Sequence, residues 1–309
     1  MNKPALRHAP RLGNGRLNWK EMLSSYAMVL PAIGFLCVFT LYPMLDLLHM
    51  SFYKGNATNP FKSFRGLENY KWILFTQPDF LVSLKNTAYY TLAVVVLLIS
   101  LALIFAVWMQ KDRRINRIAQ SVFFTPHLVA TLSCAFIWQW LYNSESYGLL
   151  NSVLKVFGLG PVRFLDSSST AMNCVVIMNV WKGIGYYALI ILSALKSIPN
   201  EIYEAARLDN SSTVKTFFRI TLPMLSPQLF FLLITITIGS FKVFDSIRIM
   251  TNGGPGTSTQ VVTMFIYNYA FVRNNTLGVA SAAGVVLMII LMLITLVYFK
   301  ALEKKVHYQ

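Results

Sequence analysis

Five ionisable side chains, Asp46, Lys182, Lys242, Asp245 and Arg248, fall inside long apolar stretches of this chain. A charge held there is costly, and it persists where it pairs, lines a polar path or meets a ligand. Lys242, Asp245 and Arg248 recur every third residue, so on a helix Asp245 can reach either basic neighbour. Two readings fit that spacing: a ladder neutralised within itself near the membrane surface, or a face lining a cavity for a polar ligand. Lys182 lies midway along its stretch beside Trp181, Gly183, Gly185, Tyr186 and Tyr187. Glycines admit a ligand or a second backbone closely, although tight helix packing explains glycines as well. Aromatic rings with hydroxyl tips suit sugars, which present apolar C–H faces and hydroxyl rims. The candidate substrate pathway is therefore Trp181, Lys182, Tyr186, Tyr187, Ser240, Lys242, Phe244 and Asp245. With Lys182, Lys242 and Arg248 set against Asp46 and Asp245, the balance suits an anionic or partly anionic glycan.

A second polar constellation is "EAARLDNSSTVKTFFRITLPMLSP", residues 204–227. Pro199 and Asn200 make a helix start, with Asn200 as N-cap and Glu201 in the first turn. Ile202, Ala205, Ala206 and Leu208 put small and apolar groups near one face, while Glu201, Glu204 and Arg207 stay polar. A sharp helix end calls for a residue that tolerates the left-handed conformation, and Asn210 is the next choice after glycine. A second helical run, 213–220, leads to Leu222-Pro223. Such a helix either lies on lipid headgroups or docks a partner, with Ala205 and Ala206 allowing close approach and Glu204 meeting a basic group.

The elements that must position these residues are membrane spans. The chain has 309 residues and is 55% hydrophobic but only 13% charged, well below the charge of an ordinary soluble domain. Six apolar blocks, 26–52, 86–110, 118–142, 171–195, 227–250 and 276–299, reach the length a helix needs to cross a bilayer. The expected fold is an all-α integral membrane protein with six transmembrane helices. The first block is too long for a signal-peptide core and is expected to be retained. Lysines and arginines concentrate in the N-terminal tail (Lys3, Arg7, Arg11, Arg16, Lys20), after the second block (Lys111, Arg113, Arg114, Arg117), in the insert and at Lys300, Lys304 and Lys305. The positive-inside bias then places both termini and the insert in the cytoplasm. This gives a tail at 1–25, a membrane domain at 26–299 with its polar loop at 196–226, and a tail at 300–309. The formal charge of +15 is accounted for by inner loops and anionic membrane lipid, and calls for no nucleic acid.

Other chemistry is missing. No G-x-x-x-x-G-K-[ST] phosphate loop occurs, and "NGGPGTST" reads as an outward turn-rich loop. His8, His49, His127 and His307 lack metal-ligand spacing, and Cys37, Cys134 and Cys174 read as packing residues inside helices.

Glu204-Ala205-Ala206, Asp209, Phe217, Ile220, Leu222-Pro223 and Pro227 resemble the EAA loop of binding-protein-dependent ABC importer permeases. "FRGLENY" (64–70), "NTAYYTLAV" from Asn86, "WKGIGYY" from Trp181 and "TNGGPGTSTQVVTMFIYNYAF" (251–271) are similar to the carbohydrate-uptake branch, of the maltose type. One departure is Asn210, where the family usually has glycine. The resemblance implies a non-enzymatic permease subunit of the cell membrane, importing a di- or oligosaccharide by alternating access. Glu204, Ala205, Ala206, Asp209, Asn210, Leu222 and Pro223 would form a cytoplasmic coupling helix and its exit, between the fourth and fifth spans. Implied partners are a second homologous permease, an ATPase dimer and an extracytoplasmic solute-binding protein. The resemblance implies no cofactor or metal in this chain, with ATP and Mg held by the ATPase. Other readings are a gradient-driven secondary transporter, a permease for another polar solute such as glycerol phosphate, and a non-transporting anchor.

Overall fold

A computed structural model describes residues 19–145, 148–274 and 276–302. Lys3, Arg7, Arg11, Arg16, Lys304 and Lys305, on which part of the expected orientation rests, lie outside the described residues, as does most of both expected tails. The chain forms two units, Met1–His49 and Met50–Gln309.

In the first unit, α1 (Trp19–Leu36) runs through a π-helical turn, Cys37–Leu41, into α2 (Tyr42–Met50), which carries Asp46. Trp19, the first described residue, is already helical, ahead of the apolar block. Ser25–Met50 is long and apolar enough to cross a membrane, and its apolar side chains, such as Met28, Leu30 and Phe39, are exposed. A helix apolar all round suits lipid, where its hydrogen bonds are satisfied internally.

The second unit opens with a short antiparallel ribbon, β1 (Tyr53–Lys54) against β2 (Ser63–Phe64), with Tyr53 opposite Phe64. The helix α3 (Glu68–Lys71) and the π turn Trp72–Thr76 lead into α4 (Pro78–Met109). Then come α5 (Arg114–Leu128), α6 (Thr131–Leu141), α7 (Leu149–Val156) and α8 (Ala171–Ser197). The polar insert holds α9 (Asn200–Leu208), α10 (Thr213–Thr216), the π turn Phe217–Thr221 and α11 (Leu222–Met224). It is followed by α12 (Ser226–Phe241), α13 (Asp245–Met250), α14 (Val262–Tyr267) with the π turn Asn268–Val272, and α15 (Leu277–Leu302).

Three of the π turns end two residues before a proline, at Pro43, Pro78 and Pro223. Proline cannot donate a backbone bond and its ring crowds the carbonyl four residues back. In each case the residue before the proline donates five residues back instead: Tyr42 to Cys37, Gln77 to Trp72 and Leu222 to Phe217. The single helical run expected over 213–220 is therefore split at Phe217.

Among the described residues five helices have the length and apolarity of a span, six if α5 and α6 count as one. The third expected span differs most from its sequence reading: α5 and α6 meet at 98°. Pro126 weakens the last turn of α5, and Val129 and Ala130 are extended at ψ 138° and 139°. The fifth expected span is also interrupted, between Phe241 and Asp245.

Packing centres on α4 and α8, whose Val94, Leu98 and Ala102 meet Val175, Ile191 and Leu195 in one buried cluster. In a bilayer such contacts stabilise through close van der Waals packing, because lipid already satisfies apolar surface. The small residues of "GVASAAG" serve a second cluster, in which Ala280, Ala282 and Ala283 pack with Val262 and Phe265. All three cysteines are free.

Candidate functional site

A cavity of about 270 Å³ opens among α4, α8, the α5–α6 break and the α12–α13 break. Six of the sequence candidates line it: Lys182, Tyr187, Ser240, Lys242, Phe244 and Asp245. Trp181 does not; it leans on Trp138, with ring centroids 5.3 Å apart. Tyr186 also lies off the wall and stacks on His127 at 4.2 Å, nearly parallel.

The two helix breaks build this site. Where α5 ends, its last carbonyls lose their helical donors, and the His127 carbonyl receives Lys182 Nζ at 3.2 Å. Where α12 ends, the chain turns at Lys242, and α13 restarts with Asp245 in its first turn. Asp245 and Lys242 are both exposed, and among the described residues neither stands in an ion pair within 4.0 Å. Arg248 instead donates to Asn252 Oδ1 and lies over the Tyr267 ring, 5.0 Å from its centroid. The self-neutralised ladder does not form: the α12–α13 break takes Lys242 off the helix that carries Asp245, and Arg248, three residues along α13 from Asp245, turns to Asn252 and the Tyr267 ring instead.

Tyr90, His127, Thr131, Asn179 and Ser246, none of them among the sequence candidates, share the wall. Asn179 donates to Ser246 Oγ at 3.0 Å and to the Val175 carbonyl at 2.9 Å, which fixes α13 against α8. Asn179 stands one residue short of a helical turn before Lys182, a spacing that marks a shared face. His127 had no such signal except Pro126 beside it. The cavity thus offers two ammonium groups, one carboxylate and hydroxyl donors, an assortment suited to a hydroxylated ligand carrying negative charge.

The polar insert has its own geometry. Pro199, not Asn200, takes the N-cap place: its carbonyl accepts from Ile202 N at 3.2 Å, and no side chain caps the helix. Proline holds φ where this position needs it. Asn210 closes α9 at φ 51°, with Ser211 N donating to the Ala206 carbonyl at 3.0 Å, the long bond of a left-handed helix end. The faces divide differently from the sequence reading. Ala206 is buried with Ile202 and Tyr203 half-buried, whereas Glu201, Glu204, Ala205 and Leu208 form one exposed ridge. Leu208 is 84% exposed. Tyr203 Oη lies 3.3 Å from Thr221 Oγ1 and links α9 to the π turn before Leu222 and Pro223. Asp209 is exposed beside Asn210.

Residue type at Asn210 is testable. A β-branched side chain in the left-handed region costs about 1–2 kcal/mol. Asn210→Val is expected to lower the melting midpoint of the detergent-purified protein by a few degrees, while Asn210→Gly leaves it unchanged.

Residues 98–308 match the family described as "Binding-protein-dependent transport system inner membrane component". The chain belongs to this family. This permease is 32% identical over 285 residues to the "Trehalose/maltose transport system permease protein MalF" of Thermococcus litoralis, covering 92% of this chain and 95% of that protein. It is 30% identical over 292 residues to the "Arabinooligosaccharides transport system permease protein AraP" of Bacillus subtilis, covering 91% of each. Its fold is similar to a chain in the crystal structure of a bacterial ABC transporter involved in import of the acidic polysaccharide alginate. The TM-score there is 0.82 at 24% identity, over 93% of this chain and 98% of that one. Membership makes the permease a non-catalytic, multi-pass transport component of the inner membrane and sets aside the gradient-driven carrier and the non-transporting anchor.

Proposed function

We propose that the permease forms half of the membrane pathway of an ATP-driven importer for a di- or oligosaccharide bearing negative charge. The observation that carries this reading is the cavity at the two helix breaks, which sets Lys182, Lys242 and Asp245 with Tyr187 among apolar spans. Relatives that handle trehalose or maltose and arabinooligosaccharides support the sugar class. A second homologous permease completes the pathway, and an extracytoplasmic binding protein delivers substrate to the outer loops, chiefly 61–80 and 251–271. The α9 ridge, with Glu204 and Ala205 exposed and Asp209, Asn210, Leu222 and Pro223 shaping its end, is the cytoplasmic contact for an ATPase dimer that holds ATP and Mg. Closing that dimer moves α9, and the two permeases, acting as one bistable assembly, alternate their access.

Lys182→Met tests the charge of the substrate. Removing a charged hydrogen-bond donor costs roughly 1.5–3 kcal/mol. Uptake of a uronate-bearing oligosaccharide is expected to fall tenfold or more by this reasoning, and uptake of its neutral counterpart much less. Equal losses for both would sink the anionic reading and leave Lys182 as a brace for α5 through the His127 carbonyl.

A further inference from the structure

The insert that carries α9 folds back toward the end of α4 and encloses a cavity of about 400 Å³. Val107, Gln110 and Lys111 form one side of its wall, with Tyr203, Arg207 and Thr216 on the other. No carboxylate lines it, and among the described residues neither Lys111 nor Arg207 has an ion-pair partner. Lys111 and Arg207, both exposed, thus share a polar recess with no carboxylate in its wall.

The recess is built rather than incidental. Asn116, 4% exposed, donates through Nδ2 to the Lys111 carbonyl at 2.7 Å and to the Trp108 carbonyl at 3.3 Å, pinning the turn after α4. Across from it, Tyr203 Oη and Thr221 Oγ1 lie 3.3 Å apart, so one of the two hydroxyl protons remains for a ligand. Thr216 Oγ1 donates to Ser211 Oγ at 3.3 Å, so the Ser211 proton is likewise free to turn inward. The level of the site in the bilayer is also readable. The apolar run of α4 stops at Met109, and Trp108 beside it is half-exposed, the placement of an aromatic at the boundary between hydrocarbon and headgroups. Phe218 and Val214 of the same insert expose apolar surface, which acyl chains would cover.

We propose that this cavity binds a phosphate group, carried either by an anionic phospholipid headgroup or by free phosphate. Phosphate oxygens take short, charge-assisted bonds from lysine and arginine together, and the hydroxyls supply the remaining donors. A bound phosphate would tie the end of α4 to the insert, so that the surrounding lipid or anion sets how stiffly α9 is held. Such a site needs only that α4 crosses the membrane, whatever the substrate or the ATPase.

The test is native mass spectrometry of the permease purified with its associated subunits, loaded with phosphatidylglycerol or, separately, with inorganic phosphate. Each basic side chain near the surface contributes roughly a fivefold effect on binding an anionic lipid. Lys111→Gln with Arg207→Gln is expected to reduce retained phosphatidylglycerol about thirtyfold on that scale, and Lys111→Arg with Arg207→Lys to restore most of it. Lys111→Gln alone, outside α9, covers the case in which the double variant fails to fold, with a loss of about fivefold. Phosphate retained by the wild type and lost from the variants, with no preference for the lipid, supports the same site with a soluble source. Equal retention of both probes by wild type and variants overturns the proposal.

Discussion

With α9 as the proposed ATPase contact, Glu204→Lys is expected to cost the permease that partner. Glu204 stands in the middle of α9 on the ridge it shares with Glu201, Ala205 and Leu208, and among the described residues it forms no ion pair. An exposed leucine beside a small alanine and a carboxylate is the composition of a contact surface that loses water when covered: Leu208 contributes apolar area, Ala205 close approach, and Glu204 orientation. If Glu204 meets a basic group of the partner, as the proposed docking has it, a lysine there sets like charge against like, which costs several kcal/mol. Recovery of the ATPase with a tagged permease from mild detergent should fall by about a hundredfold or more on that scale. The helix itself should survive, because Ala206, its buried anchor, and Asn210, its left-handed end, are untouched. Equal recovery by wild type and variant would show that the charge of the ridge is not what holds the partner. Transport that persists with no ATPase recovered from either would remove the coupling role from α9 altogether.

The sequence made some of this visible because the deciding physics is local. Apolar runs long enough to cross a bilayer are sufficient to announce spans, since a lipid-facing helix has no polar face to alternate with. Asn210 was legible for a similar reason: few residues tolerate a left-handed helix end, and the asparagine stands where α9 must stop. Asn200 misled, because its residue type favours the cap while Pro199, fixed in φ, already occupied it. The two breaks that make the cavity were not legible. Hydropathy treats 118–142 as one run, whereas two extended residues, Val129 and Ala130, turn it by 98°. Lys242 looked like part of a charge ladder only on the assumption that α12 continued through it. The pairing of Lys182 with the His127 carbonyl joins residues brought together by packing alone, and no spacing rule reports such a contact.

That packing underlies the largest loss expected within the spans. Gly185→Ala should abolish transport and deplete folded protein, whereas Gly183→Ala, two residues earlier on the same helix, should be tolerated. A methyl group at Gly185 would overlap the Phe123 carbonyl and lie 2.7 Å from Phe124 N. Both are backbone of α5, so no rotamer change relieves the clash and the whole helix must move. At Gly183 the nearest atoms are the Leu98 methyls at 3.3 Å, the ends of a side chain that can shift. Overpacking of a fitted interior costs about 1–3 kcal/mol, and more where backbone must retreat. The damage also reaches the cavity. Moving α5 carries away the His127 carbonyl that holds Lys182 and the ring stacked on Tyr186. Melting curves and uptake for the two variants decide the matter, read side by side. If Gly185→Ala melts and transports like Gly183→Ala, α5 does not rest on α8 at this point, and the cavity drawn from that contact is wrong as well.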